Sequence, residues 1–282
     1  MTNKVVFVAD FFADQINGGG ELNNEEAILL LRQRGYNVEK RISTQVTTEY
    51  IDSNEDCFFI IANFIGLQED CKTHLLESNH RYVIYEHDHK YLKTRDPSYF
   101  DEYVAPSDQI INVDFYAGAS AVFCQSKLHK QVAQKNLKTN NIQNLGGNLW
   151  SKDILSQLSL LSKKEKKDRY SIWNSHNPIK STNETIAYCS SKGIPFDLVG
   201  NLSYSQFLNK LSNNNTFIFM PKTLETLCRV VVEARMCGMK VVTNKKVGAT
   251  SEEWFSLKGV ELIQEMENKR EEIIDKIEKV IT

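Results

Sequence analysis

Short apolar runs punctuate this chain, and stretches with helical spacing separate them. The runs are Lys4–Asp10, Cys57–Ala62, Tyr82–Tyr85 and Ala121–Cys124, and the second half repeats the rhythm with strands of mixed composition at Tyr170–Trp173, Phe196–Val199, Thr216–Met220 and Lys240–Thr243. A run that is apolar throughout, rather than alternating, reads as a strand covered on both faces, which is the habit of parallel sheets. Between the runs, Glu21–Arg34 places Ala27, Leu30 and Leu31 on one face, and Gly35 is positioned to end that helix. Further helices are predicted near 67–77, 126–136, 182–192, 204–212, 227–237 and 266–281. Strand, glycine-bearing loop, helix and next strand in that order make the unit from which doubly wound α/β domains are built. The rhythm runs to about Leu149 and resumes at Tyr170, so two such domains are predicted, over 1–150 and 170–265. Residues 151–169, ending in the charged run Lys163–Arg169, read as a linker with a solvated basic end, and 266–282 as a charged terminal helix that packs back on the first domain.

Charge is uneven along the chain. Residues 1–150 hold 14 Lys+Arg against 20 Asp+Glu, a net of −6, within an overall −2. A basic second half suits an anionic ligand, and an acidic first half weighs against docking on a nucleic-acid backbone. Scatter over solvated faces explains the same numbers. The six cysteines form no C-x-x-C pair, so free buried thiols are expected. The start reads as no signal peptide, and no apolar run approaches a membrane span. A cytoplasmic protein is therefore expected, with peripheral contact at a membrane left open.

The most informative stretch is Pro221–Thr243. A strand delivers Glu225, a helix begins at once, and Glu233 follows two turns later amid Val230–Val232, Ala234 and Met236. The first N–H groups of such a helix, expected at Thr226, Leu227 and Cys228, have no partner within the helix and favour an anion such as a diphosphate. Glu225 is placed to accept from sugar hydroxyls, and Glu233 from a ribose. Each glutamate also has a plainer explanation. One that opens a helix complements its dipole, and one on an apolar face needs only a buried partner.

Two glutamates eight apart, followed by Ala234, Gly238 and Val241-Val242, resemble the signature of the retaining GT-B glycosyltransferases, a large family that includes bacterial mannosyl- and glucosyltransferases. The family usually carries Phe-Gly where this chain has Leu227-Cys228. Other stretches resemble it in the same order. They are the glycine loop Gly18-Gly19-Gly20-Glu21, His87-Asp88 at a strand end, Phe123–Ser126, Lys180, and Val247–Glu252. The resemblance implies two Rossmann-like domains facing across a cleft, the first binding the acceptor and the second a nucleoside-diphosphate sugar. It implies that Gly19 and Gly20 approach the donor, that His87 contacts the transferred sugar, and that Lys180 faces the donor phosphates. The family's partner arginine falls near Asn174 or Ser175, leaving Lys222 or Arg229 as substitute cations. The implied reaction is sugar transfer to a hydroxyl with retention, with Glu225, His87 and Lys180 as catalytic residues. No cofactor is held permanently. There is no Asp-x-Asp at a strand end, so no metal is expected, although Glu86–His89 is a cluster with metal-ligand chemistry. The acceptor stays open among glycan, lipid, protein and modified nucleobase. A degenerate protein that only binds, and another nucleotide-sugar enzyme such as an epimerase, are the rival readings.

Overall fold

A computed structural model describes residues 3–16, 18–78 and 80–282. The chain forms two compact units, one running to Leu149 and including Arg270–Thr282, the other Trp150–Lys269.

The first unit runs β1 (Lys4–Ala9), α1 (Gly19–Gln33), β2 (Asn37–Ile42), α2 (Thr48–Asp52), β3 (Phe58–Ile61), α3 (Glu69–Glu77), β4 (Tyr82–Tyr85), α4 (Val113–Gly118), β5 (Ala121–Cys124), α5 (Lys127–Leu137) and β6 (Ile142–Asn144). Its six strands lie in the order β2-β1-β3-β4-β5-β6 and pair in parallel. The apolar runs are buried on both faces, as their composition requires. Along β1, Val5 and Phe7 join one core with Ala27, Ile28 and Leu31 of α1, while Val6 and Val8 join another with Cys71 and Leu75 of α3. That alternation is the period of a strand.

The second unit runs α6 (Lys152–Ser162), β7 (Lys167–Trp173), α7 (Thr182–Ser191), β8 (Phe196–Val199), α8 (Tyr204–Leu211), β9 (Asn214–Phe219), α9 (Arg229–Met236) and β10 (Lys240–Thr243). Its sheet has the order β10-β9-β7-β8, again parallel. Helix α10 (Val260–Ile281) gives Leu262, Ile263 and Met266 to the second unit's core, and Ile273, Ile274, Ile277 and Ile281 to the first unit's. Within the first unit, Arg270 pairs with Glu26 of α1 at 2.5 Å, both nearly buried. Among the described residues no helix is long and apolar enough to cross a membrane. All six cysteines are buried free thiols.

Four expectations are corrected. The stretch 151–169 is no linker. Leu155, Leu158 and Leu161 of α6 are core residues, and Lys167–Arg169 open β7, where Arg169 pairs with Asp197 at 2.9 Å. A charge run that borders a buried strand continues it where its side chains find partners. The glycines do not form a loop ahead of α1, because Gly19 and Gly20 are its first residues and Gly18 its N-cap. Helix α9 starts at Arg229, two residues later than expected, with Cys228 as N-cap. The terminal helix starts at Val260 rather than 266.

Candidate functional site

In each sheet the chain order reverses at one place, between β1 and β3 in the first unit and between β7 and β9 in the second. Adjacent strands there send their loops in opposite directions, leaving a crevice at the carboxyl ends where ligands of open α/β sheets bind. Lys180 and Glu225 follow the two strands of the second place, and Gly19 and Gly20 follow β1 at the first.

In the second unit, Lys180 follows β7 and Glu225 follows β9. Their side chains meet, Nζ to Oε1 at 2.5 Å, each mostly buried. The Lys180 ammonium lies over the rings of Trp173 and Phe219, 5.4 and 6.0 Å from their centroids. Glu225 is fixed by its backbone, since its N–H donates to the Lys246 carbonyl and its own carbonyl accepts from Gly248 N–H, both at 2.8 Å. That short parallel bridge to Val247 explains why the glycine-bearing stretch Val247–Glu252 belongs with the site. Asn174 closes β7, and its carbonyl would lie 2.3 Å from a Cβ placed at Gly200, so the tip of β8 requires glycine.

The N-terminus of α9 adjoins this pair in sequence. Thr226, Leu227 and Cys228 precede the helix instead of forming its first turn, so the amides that open it are those of Arg229 and Val230. Cys228 takes the left-handed conformation, φ 73° and ψ 82°. That is a glycine conformation, and the family's motif has glycine at this position. Cys228→Gly should therefore stabilise the unit by about 1 kcal/mol, the usual cost of a non-glycine residue there, less glycine's own entropy. A urea midpoint that stays put or falls would show the cysteine unstrained.

Glu233, expected to accept from a ribose, is 2% exposed. Its Oε1 accepts from Trp150 Nε1 at 2.9 Å and from the Tyr204 hydroxyl at 2.6 Å, and Arg229 Nε lies 3.6 Å away. The carboxylate is thus engaged inside the unit. The partner signal, a Trp and a Tyr far off in sequence, has no spacing by which to be read. Of the two substitute cations, Lys222 pairs with Glu184 on the surface, and Arg229 stacks on Trp150 with its guanidinium 4.4 Å from the ring centroid.

In the first unit, Gly20 faces the His87 ring, and a Cβ there would stand 3.5 Å from it. His87 is stacked on Tyr85 and held from both nitrogens, Nε2 with Asn24 Oδ1 at 2.6 Å and Nδ1 with Gln125 Nε2 at 2.5 Å. Glu21 beside Gly20 is half-buried, and burial raises its carboxyl pKa. Asp10, at the end of β1, accepts from the amides of Ile65 and Gly66 and so shapes the loop after β3.

The cluster after His87 is consumed by its own pairing. Lys90 is buried, 2.7 Å from Glu86 and 2.8 Å from Asp88, and Asp88 also pairs with Arg95. Burial alone would raise the Asp88 carboxyl, but Lys90 and Arg95 more than offset it and hold the pKa below the carboxylate range. Burial pushes His89 down to about 4. Among the described residues one group of three could hold a metal ion, Asp52, His74 and His80, with ligand atoms within 4.8 Å of one another. His80 precedes β4 and His87 follows it, so that group lies at the opposite edge of the sheet.

Comparison with solved structures gives this architecture its class. The HepE protein of Anabaena, solved with UDP and glucose, matches with a TM-score of 0.57 at 14% identity, over 99% of this chain and 92% of that one. A UDP-forming trehalose-phosphate synthase from Burkholderia xenovorans matches at 0.58 and 7% identity, over 100% and 99%. An alpha-glucosyltransferase solved with UDP and a 13-mer DNA containing an HMU base matches at 0.53 and 14%, over 96% and 94%. The chain has the GT-B fold, two parallel-sheet α/β units in one chain. No family model and no curated protein sequence matches it.

Proposed function

We propose that this protein is a retaining glycosyltransferase that moves a sugar from a nucleoside-diphosphate sugar to a hydroxyl acceptor. The observation that carries the reading is the Lys180–Glu225 pair on its aromatic shelf, at the switch point of the second sheet and next in sequence to the α9 N-terminus. The chemical difficulty of the reaction is negative charge building on the departing diphosphate as the sugar becomes oxocarbenium-like. Lys180 and the opening amides of α9 are suited to that charge. Glu225, held rigid by the Lys246–Gly248 backbone, orients the sugar by accepting from its hydroxyls. Gly19, Gly20 and His87 keep the donor and acceptor contacts implied by the family resemblance. Asn174 and Gly200 shape the β7 and β8 tips beside Lys180.

We favour a front-face path in which the leaving phosphate oxygen takes the acceptor's proton. The three structural neighbours are all described with UDP, which favours uridine as the donor base. Lys180 supplies a cation where a GT-A enzyme would use a divalent ion, so metal-independent transfer is part of the proposal.

The test is a thermal-shift panel of UDP, GDP, ADP, CDP and TDP with their sugars, followed by UDP release in the presence of EDTA. A selective shift by UDP, enlarged by one of its sugars, and turnover that survives EDTA are expected. A well-folded sample that shifts with none of them is a degenerate protein, and the catalytic roles then fall.

A further inference from the structure

The first unit holds a pocket of about 520 Å³ beyond the carboxyl ends of β3 and β4. Its floor is the Phe64 ring, with the Lys72 and Lys90 ammonium groups each 5.6 Å from the ring centroid. Lys93 and Arg95 stand exposed at its mouth. Glu69 is the one carboxylate in the lining. Four cations thus converge in a half of the chain whose net charge is −6.

Their compensation is unequal. Lys90 is neutralised from behind by Glu86 and Asp88, and Arg95 by Asp88. Lys72 has a side chain only 9% exposed, yet its carboxylate partner among the described residues, Glu69, is 82% exposed, and its other hydrogen-bond acceptor is the neutral Asn112 Oδ1 at 3.1 Å. A nearly buried ammonium tied to a solvated carboxylate is under-compensated. Lys93 has no side-chain partner among the described residues. The backbone is built to hold this arrangement. Asn112 Nδ2 donates to the Lys90 carbonyl, and Leu92 bridges to Ile110 in antiparallel sense, closing the 89–95 segment over the pocket.

We propose that this pocket binds the phosphate group of a small phosphorylated sugar, and that this sugar is the acceptor. The proposal rests on the transferase reading above. The ligand's phosphate meets Lys72 and Lys93, the two cations whose charge is least compensated, and the volume suits a mono- or disaccharide. Lys72 lies at the floor, where a small anion reaches it and the backbone of a duplex does not. The acidic surroundings favour a compact anion over a long polyanion for the same reason.

The test is calorimetric titration of the full chain with glucose, glucose 1-phosphate and glucose 6-phosphate, with UDP present. At least one phosphate ester is expected to bind tenfold or more tightly than glucose. Lys93→Glu, an exposed change that leaves the fold intact, should remove that preference while the UDP-induced thermal shift stays as in wild type. Lys72→Met should remove it too, provided the variant melts as a folded protein. Phosphate esters that bind no better than glucose, in a protein that still responds to UDP, overturn the pocket and leave the transferase reading standing. Phosphate binding without any UDP response leaves an anion site and overturns its role as acceptor subsite. An oligonucleotide that binds more tightly than either ester, and is lost in Lys93→Glu, overturns the small acceptor in favour of nucleic acid.

Discussion

Lys180→Met should fold and bind uridine normally, yet lose on the order of 10²–10³ in the rate of sugar transfer, the scale seen when one preorganised group that stabilises developing charge is removed. Methionine keeps the length needed to cover Trp173 and Phe219, so the aromatic shelf stays packed. What disappears is the cation 2.5 Å from Glu225. Two effects then act together. The diphosphate leaves without its counter-charge, and Glu225 stands unpaired and partly buried at the place where it should meet the sugar. Because the charge matters most as the bond breaks, kcat should fall more than UDP affinity. Lys180→Arg should recover part of the rate, since a guanidinium restores charge with a different reach. The measurement is UDP release from UDP-glucose at saturating donor, beside a melting curve for each variant. Wild-type turnover in folded Lys180→Met would remove Lys180 from the chemistry and leave it a structural partner of Glu225.

Glu233→Ala should cost about 3–5 kcal/mol of stability in the second unit, the range for breaking a buried charged network by removing one partner. The carboxylate holds three groups from three parts of the chain: the Trp150 indole, the Tyr204 hydroxyl and the Arg229 guanidinium. Without it, the buried Trp150 indole and the half-buried Tyr204 hydroxyl lose this acceptor, and the Glu233–Arg229 attraction is gone. Burial, with Glu233 next to it, already holds the Tyr204 phenol well above its usual pKa, so that group cannot adapt by ionising. Glu233→Gln should be milder, because an amide oxygen still accepts. Urea denaturation of both variants, with and without UDP, separates the two roles of this residue. A Glu233→Ala protein as stable as wild type but blind to UDP would show that its main partner is the ligand's ribose and that the internal hydrogen bonds count for little.

How much of this was legible from residues alone can be judged from particular elements. The strands Tyr82–Tyr85, Ala121–Cys124, Phe196–Val199 and Lys240–Thr243 have the ends expected of them, and the first two are short apolar runs with polar neighbours. The start of α9 was harder to place. Leu227 and Cys228 are apolar and continue the helical spacing, yet the Glu225–Val247 bridge, the bends at Thr226 and Leu227 and the left-handed Cys228 keep the chain out of the helix until Arg229. The stretch 151–169 departs from its local pattern for a related reason. Its weak amphipathicity and charge run look like a linker, but α6 needs only Leu155, Leu158 and Leu161 on one face to enter a core supplied by other segments.

The sequence by itself determined most element types, the doubly wound class and the loops that carry Lys180, Glu225 and His87. All of these follow from local periodicity and from which residues can open or close a helix or strand. Only the tertiary structure decided the strand orders that put Lys180 against Glu225, the burial that turns Glu233 inward, and the gathering of Lys72, Lys90, Lys93 and Arg95 around one pocket in an acidic unit. The physical reason is that these contacts join residues far apart in the chain. Parallel strands are paired through crossovers that local spacing does not specify, and a side chain's charge and exposure depend on neighbours that only packing supplies.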